Sequence, residues 1–486
     1  MSQTRKTARP LVIAAVMASM AMVAIEATIV STAMPQIATQ LGGLNLYSWV
    51  FSSFLLTQTA LTVVFGKLAD LYGRKPALLA GIAIFLVGSV LAGFAWSMPA
   101  MIVFRLVQGV GAGAILPVAL TVVGDLYPAR ERGKVQGYLA SVWAVSAVLG
   151  PMVGGLLIRQ FSWSWIFWIN VPIGILAAAL FVMFLHEEKR HDRPAIDLAG
   201  AFCFTAAVAA LMMALTDAGH ASNVRVGVEL AVLVVSCVLF VVQEKRAADP
   251  MISFRLWSHR PIAASNAATL LAGMAMMGLT TFLPMYVQGV MGRPPLTAGF
   301  ALAAMTLGWP IGATLSSRLW SRLGVRAVLR GGALLVPLGA LVFVFLKPET
   351  SPAVAGAGSA LLGLGMGLSS ASSIVLIQEI VDWSKRGSVT ASYMFARSLG
   401  STFGATVFGA MLNAGLVRSG VGAVTSSELR KLLEGGAAAS NAGLHAALDQ
   451  SLHMTFVALF ATALLVAATA ALVPRVVFSA KRALAE

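Results

Sequence analysis

Long apolar runs separated by short polar turns fill this chain from end to end. They predict helices over 11–38, 47–68, 77–96, 99–124, 134–158, 163–186, 196–217, 225–242, 262–290, 296–320, 326–346, 352–378, 387–416 and 452–474. Each run is near or above the roughly 20 apolar residues that a helix needs to cross a bilayer. The backbone of a spanning segment must satisfy its own hydrogen bonds, which a helix does. The expectation is an all-α integral membrane protein with fourteen transmembrane helices. No gap has the length or composition of a soluble domain. The longest gap, 417–451, offers a short amphipathic helix from Glu428 to Glu434, capped by Ser427 and stopped at Gly435-Gly436. It reads first as a passive external loop, with a lid over the outer mouth as the alternative.

The polar positions carry a second pattern. Basic clusters stand at Arg5/Lys6/Arg9, Lys67/Arg74/Lys75, Arg130/Arg132/Lys134, Lys189/Arg190/Arg193, Lys245/Arg246/Arg255/Arg260, Arg318/Arg322/Arg326/Arg330, Lys385/Arg386 and Arg475/Lys481/Arg482. The alternate gaps hold only Arg159, Arg225, Arg293, Lys347 and the trio Arg418, Arg430 and Lys431. Lysine and arginine accumulate in cytoplasmic loops, so the rich gaps and both termini are expected on the cytoplasmic side. An even number of spans satisfies that.

Composition narrows the picture further. The chain is 58% hydrophobic and 11% charged, with a mean hydropathy of +0.85. Its formal charge of +15 sits in juxtamembrane clusters rather than on one folded face, which argues for lipid headgroups and against nucleic acid. The first apolar stretch outruns a signal-peptide core, and no small-residue cleavage site precedes Glu26. Cys203 and Cys237 both fall inside spans and predict neither a disulfide framework nor a zinc site. The six histidines show no ligand spacing. No metal site and no cofactor is expected.

A weak repeat links the two ends of the chain. Gly66 to Lys75 reads GKLADLYGRK, and eight spans later Gly312 to Arg318 is followed by Arg322-Leu323-Gly324-Val325-Arg326. Both place a glycine near the end of a span and a basic, glycine-containing turn after it. Repeated six-span units are a property of transporters, whose substrate site lies between halves. The expected division is residues 1–190 as one six-helix half, 191–250 as two extra helices, and 251–486 as the second half with outer loop 417–451.

With these motifs the chain resembles the major facilitator superfamily, and within it the fourteen-span drug:proton antiporter branch (EmrB/QacA-like). The Gly66–Lys75 turn is similar to the superfamily's turn between spans two and three. Arg105-Leu106-Val107-Gln108-Gly109-Val110-Gly111-Ala112-Gly113 resembles its span-four arginine motif, and Gly150-Pro151-Met152-Val153-Gly154-Gly155 the antiporter motif of span five. Trp163 to Gly174 (WSWIFWINVPIG), Asp197 to Gly200 and Pro284 to Gly292 add branch-specific stretches. Three positions depart from the pattern: Glu26 stands where aspartate is more frequent, Ser164 where arginine is usual, and Ala304 where proline is expected.

Glu26 is the acid of span one, with no other charge between Leu11 and Val50. A carboxylate within a span costs several kcal/mol unless it is paired or protonated, which marks it as a candidate for proton exchange. At about 1.5 Å per residue, Glu26 lies roughly 20 Å from the cytoplasmic end and Arg105 about 10 Å from the outer end of its span. In a core about 30 Å thick those depths nearly coincide. The two are expected to meet directly, through Gln108 or through water, either as a structural ion pair or as a proton site. The resemblance implies that Arg105 tunes that site. The glycines after Arg105 lie inside an apolar span, which excludes a dinucleotide-binding turn and points to close helix packing.

Gly150, Pro151, Gly154 and Gly155 predict a kinked helix that a neighbour approaches closely, either an ordinary kink or a surface on which halves rock. Asp70, Arg74 and Arg130 are candidates for an inner-face latch, since a carboxylate beside helix ends can hold one conformation. Asp125, Glu379, Asp382, Asp217 and Glu229 read as solvated span ends. Gln58, Gln108, Trp143, Gln288 and Trp309 are candidates for a substrate pocket, or are packing and lipid-facing groups. The chain offers no nucleophile–base pair, ligand set or phosphate loop, so it is not read as an enzyme. The resemblance implies a proton-driven exporter of hydrophobic, cationic drugs in a bacterial inner membrane, with protons and a small molecule as partners. Some relatives also use a periplasmic adaptor. The alternative is a carrier for one metabolite, lipid-like molecule or siderophore.

Overall fold

The computed structural model describes residues 7–41, 46–187, 197–217, 223–247, 257–418 and 442–474. Regular structure among them is helical throughout. The helices are α1 Arg9–Leu41, α2 Tyr47–Tyr72, α3 Arg74–Gly93, α4 Met98–Leu126, α5 Ala129–Gln160, α6 Trp165–Trp168, α7 Asn170–Phe184 and α8 Leu198–Asp217. They continue as α9 Asn223–Arg246, α10 Arg260–Gly289, α11 Pro295–Leu323, α12 Val325–Val344, α13 Pro352–Glu379, α14 Arg386–Arg418 and α15 Ala442–Ala471. The Ser427-capped helix expected in loop 417–451 falls outside the described residues.

Among the described residues, 11 helical stretches are long and apolar enough to cross a membrane. Helix α8 adds a shorter apolar run, Leu198–Ala214. Residues 139–158 of α5 form a further uncharged apolar run, and α14 carries Arg386, Arg397 and Arg418. The count of fourteen spans therefore rests on the sequence pattern.

Two element boundaries differ from the sequence expectation for tertiary reasons. Helix α3 starts at Arg74 and not near residue 77, because Gly73 takes φ +102° and ends α2 there. The Glu187 carboxylate, distant in sequence, then accepts the N–H groups of Arg74 at 2.8 Å and Lys75 at 3.0 Å. Such caps satisfy orphan donors and are worth about 1 kcal/mol. The stretch 163–186 turns helical at Trp165 and runs to Phe184, with a local irregularity at Ile169, whose backbone stays helical, between α6 and α7. Trp163 is held there by its Nε1–H on Gln40 Oε1 at 2.7 Å, and the Trp168 ring lies 5.0 Å from Phe94.

The chain gathers into two compact units. One comprises Met1–Ala129, Tyr138–Trp257 and Val381–Phe395; the other comprises Arg130–Gly137, Ser258–Ile380 and Ala396–Glu486. In the first, Ile29, Met34 and Ile37 of α1 pack with Met98 and Met101 of α4 and Phe167 of α6. A satellite core joins α2 to α8 and α9 through Val63, Phe204, Val208 and Phe240. In the second unit, Leu279, Phe282 and Tyr286 of α10 meet Phe343 of α12, Phe408 of α14 and Phe456 of α15. Helix α9 leaves Val228, Val234, Val235, Val238 and Leu239 exposed. An apolar surface on a helix of this length is satisfied by lipid tails, not by water.

Candidate functional site

Helices α1, α3, α4 and α7 of the first unit bring five polar side chains to one dry point. Glu26 from α1, Ser89 from α3, Gln108 from α4 and Asn170 from α7 are all 0% exposed, and Arg105 from α4 is 1% exposed. Arg105 Nη1–H donates to Glu26 Oε1, closing a buried ion pair. The same nitrogen donates to Gln108 Oε1 at 2.7 Å, and Arg105 Nε–H to the Val50 carbonyl at 3.1 Å. Arg105 and Gln108 stand three residues apart, on one face of α4. The guanidinium also lies 4.3 Å over the Phe54 ring of α2. Gln108 Nε2–H donates to Ser89 Oγ at 2.7 Å, and Asn170 Nδ2–H donates to Glu26 Oε2 at 2.6 Å.

Burying two charges costs several kcal/mol each, which only close pairing and further hydrogen bonds offset. Both carboxylate oxygens of Glu26 face donors here. Asn170 and Ser89 were not singled out by sequence reasoning. The signal was an amide inside the apolar run Ile169-Asn170-Val171, taken there only as part of a motif.

Close backbone approach makes the cluster fit. A Cβ on Gly88 of α3 would lie 2.6 Å from the Gln108 Cα, and one on Gly109 would overlap the Phe54 carbonyl. The glycine-rich run of α4 is thus a packing surface. Gly150 of α5 plays the same part against α1, where an added Cβ would overlap Thr28 Oγ1. Thr28 Oγ1–H donates to the Ser146 carbonyl at 3.1 Å, tying α5 to α1 two residues beyond Glu26. Gly154 is buried. Gly155 has nothing within 4 Å of an added Cβ, so close approach does not explain it. The side chain of Pro151 lies outside the described residues. Replacing Gly150 by leucine is expected to cost about 1–3 kcal/mol through overpacking. Gly155→Leu is expected to be near neutral; thermal melts of the two variants in detergent check the contrast.

A second cluster sits where α2 turns into α3, also within the first unit. Asp70 pairs with Arg74 Nη2 at 2.9 Å and accepts from Gly387 N at 2.9 Å, Ser388 N at 2.7 Å and Ser388 Oγ at 2.7 Å. A carboxylate on the first turn of α14 meets both unpaired N–H groups and the positive end of the helix dipole. Arg74 donates through Nε to Asp125 Oδ2 at 3.1 Å and through Nη2 to the Trp383 carbonyl at 2.8 Å, and stacks 4.1 Å over the Trp383 ring. Arg386 reaches Asp125 Oδ1 at 3.2 Å.

Asp125, read from sequence as a solvated end, is instead the shared acceptor of two arginines, because α4 ends beside both. Glu379 is likewise bound, by Arg132 Nη1 at 2.7 Å within the second unit. Glu229 is buried and pairs with Arg225 at 3.3 Å, one turn earlier on α9. The side chains of Arg130 and Asp217 lie outside the described residues. Truncating Asp70 to alanine leaves two helix N–H groups without their acceptor while Arg74 keeps Asp125 and the Trp383 carbonyl, and is expected to cost about 1–3 kcal/mol. A melting-temperature drop far larger in Asp70→Ala than in Asp382→Ala, whose side chain is exposed, is the check.

The expected pocket residues are divided between the two units. Gln108 is consumed by the Arg105–Ser89 network. Gln58 and Trp143 are half-buried in the first unit, and Gln288 and Trp309 half-buried in the second. Trp309 has a cationic neighbour: the Arg397 guanidinium lies 4.8 Å over its ring. His453, read as unspecialised, has Nε2 2.6 Å from the Leu346 carbonyl and Nδ1 3.0 Å from Asp449 Oδ1, beside the Tyr286 ring at 5.4 Å. Among the described residues no group of three or more His, Cys, Asp or Glu side chains could hold a metal ion.

Comparison with known proteins places this architecture. A family model described as Major Facilitator Superfamily matches residues 16–405. The multidrug transporter protein MdtP of Bacillus subtilis (strain 168) is 33% identical over 413 residues, covering 84% of this chain and 76% of its own length. Multidrug resistance protein 3 of the same organism is 33% identical over 391 residues, with coverage of 80% and 76%. Among solved structures, the human organic anion transporter MFSD10 (TETRAN) superposes with a TM-score of 0.64 at 16% identity, covering 94% of this chain and all of that one. At that identity the likeness is one of fold.

Proposed function

The chain belongs to the Major Facilitator Superfamily, and from that premise we propose that it exports hydrophobic, cationic drugs or toxic compounds in exchange for protons. It is a multi-pass membrane transporter, not an enzyme. The proposal concerns the driving force, the cargo and the direction. The observation that carries it is the fully buried Glu26–Arg105 pair, whose carboxyl group is enclosed by α1, α4 and α7. An intramembrane acid of that kind is expensive and marks an ion or proton pathway. The similarity to a multidrug transporter and a multidrug resistance protein of Bacillus subtilis supports the cargo class.

In this reading the chain has fourteen spans, in two six-helix halves (1–190 and 251–486) with two extra helices in 191–250. It sits in a bacterial inner membrane with both termini in the cytoplasm, as the basic clusters indicate. It belongs to the drug:proton antiporter branch. The transporter takes up a drug from the cytoplasm or inner leaflet, opens outward, and releases it as Glu26 takes a proton. The proton leaves on the return. Arg105 and Gln108 hold the carboxyl group, Gly150 gives α5 its packing surface against α1, and Asp70 and Arg74 steady one conformation. Gln58, Trp143, Gln288 and Trp309 are the side chains proposed to meet the cargo, with an adaptor protein as an optional partner. One charge crossing 100 mV is worth about 2.3 kcal/mol, so one proton exchanged for one monovalent cation cancels the electrical contribution. Exchange at that ratio then runs on the pH gradient.

Proteoliposomes with an imposed pH gradient and a fluorescent lipophilic cation test this. Gradient-dependent movement is expected, and it should collapse with a protonophore. Folded protein that moves no such cation would defeat the drug reading in favour of a single metabolite, lipid-like molecule or siderophore.

A further inference from the structure

Asn170 has a feature that the ion pair does not use. Its Nδ2 donates to Glu26 Oε2 at 2.6 Å and approaches Ser89 Oγ at 3.4 Å, while its Oδ1 is buried without a hydrogen-bond partner. An unmet buried acceptor costs about 1–3 kcal/mol and is rare enough to need a reason. The surroundings of Glu26 supply one. Arg105 Nη1 donates to Oε1 and Asn170 Nδ2 to Oε2, a set that suits an ionised carboxylate, which only accepts. Once protonated, the same group carries an O–H and needs an acceptor. Gln108 Oε1 already takes Arg105 Nη1–H. The remaining carbonyl within the cluster is Asn170 Oδ1, on the amide that touches Oε2.

We propose that Asn170 is a positioning residue that serves both protonation states of Glu26: its Nδ2–H donates to the carboxylate and, with the amide turned over, its Oδ1 accepts the carboxyl O–H. The change balances. An arriving proton forms the O–H bond at Oε2, Nδ2–H···Oε2 is replaced by Oε2–H···Oδ1, and the unmet atom passes from Oδ1 to Nδ2. Ser89, which already accepts from Gln108 Nε2, has a hydroxyl that can accept from one end of the amide or donate to the other. The charged group facing Glu26 is Arg105 of α4. Helix α2 contributes the Val50 carbonyl and Phe54 ring to that arginine, and α5 reaches α1 at Thr28 through Ser146. Neither state leaves the carboxyl group unpartnered, so proton exchange avoids a desolvation penalty at Oε2. The inference rests on the reading of Glu26 as the proton carrier.

Infrared difference spectra of the purified full-length protein, stepped between alkaline and acid pH, test it. The carboxylic-acid C=O band of Glu26 is identified by its loss in Glu26→Gln. In Asn170→Leu, which keeps the volume but removes the amide, that band is expected at higher wavenumber because the O–H has lost its acceptor. In wild-type protein with isotope-labelled asparagine, the same pH step should shift a labelled amide band, and Glu26→Gln should abolish that shift. The second measurement holds even where the leucine variant does not fold. A Glu26 band unmoved in Asn170→Leu, or a labelled amide indifferent to pH, overturns the role of Asn170. Absence of any Glu26-dependent carboxyl band at every pH instead overturns the proton reading itself.

Discussion

Replacing Glu26 by glutamine is expected to abolish proton-driven transport while the chain remains inserted and folded. The amide matches the carboxyl in shape but cannot carry a proton across a cycle. It also fits its surroundings less well, because Arg105 Nη1 and Asn170 Nδ2 are both donors aimed at its two terminal atoms. The Asn170 amide must then turn over to offer Oδ1 to the new NH2 group, and Arg105 keeps only a neutral acceptor in place of the carboxylate, a loss of about 1–3 kcal/mol. A fall in melting temperature therefore accompanies the loss, and transport has to be measured well below that melt. Glu26→Asp keeps the acid on a shorter arm and is expected to retain part of the gradient-driven flux. Full flux in the glutamine variant would remove Glu26 from the proton pathway and leave it as structural glue.

The largest expected effect on stability comes from Arg105→Met. It leaves the Glu26 carboxylate buried without a counter-charge and frees the Val50 carbonyl and Gln108 Oε1, which are now bonded. Breaking a buried pair from one side costs about 3–5 kcal/mol. Removing both charges, as in Glu26→Gln with Arg105→Met, is expected to return most of that, since a neutral, packed replacement of a buried pair is often close to neutral. Transport should stay absent in the double variant. Thermal unfolding of the two singles and the double in one detergent gives the coupling directly. Additive losses would mean that the pair does not act as a unit. Arg105→Lys is expected to fail too, because an ammonium group lacks the planar fork that reaches Glu26, Gln108 and Val50 together.

Much of this was legible along the chain. The apolar runs fixed helical, membrane-spanning segments because the bilayer allows little else. The lone acid of α1 and the arginine of α4 stood out because charge within a span is costly. Counting rise per residue put both at one depth, and the structure brings them into contact. Less legible were the partners. Asn170 and Ser89 are ordinary polar residues in sequence, and only the packing of α1, α3, α4 and α7, close at Gly88, brings Asn170 to Glu26 and Ser89 to Gln108.

The inner ends of the helices show the same division. Sequence marked Asp70 and Arg74 by their motif, yet nothing local says that Asp70 caps α14, more than three hundred residues on, or that Asp125 bridges two arginines. Sequence alone thus determined the helical membrane class and the identity of the buried ionisable groups, because hydrophobic length and the cost of charge act on each segment separately. Only the tertiary structure decided what those groups touch and where α3 begins, because such partners come from segments whose separation along the chain carries no signal.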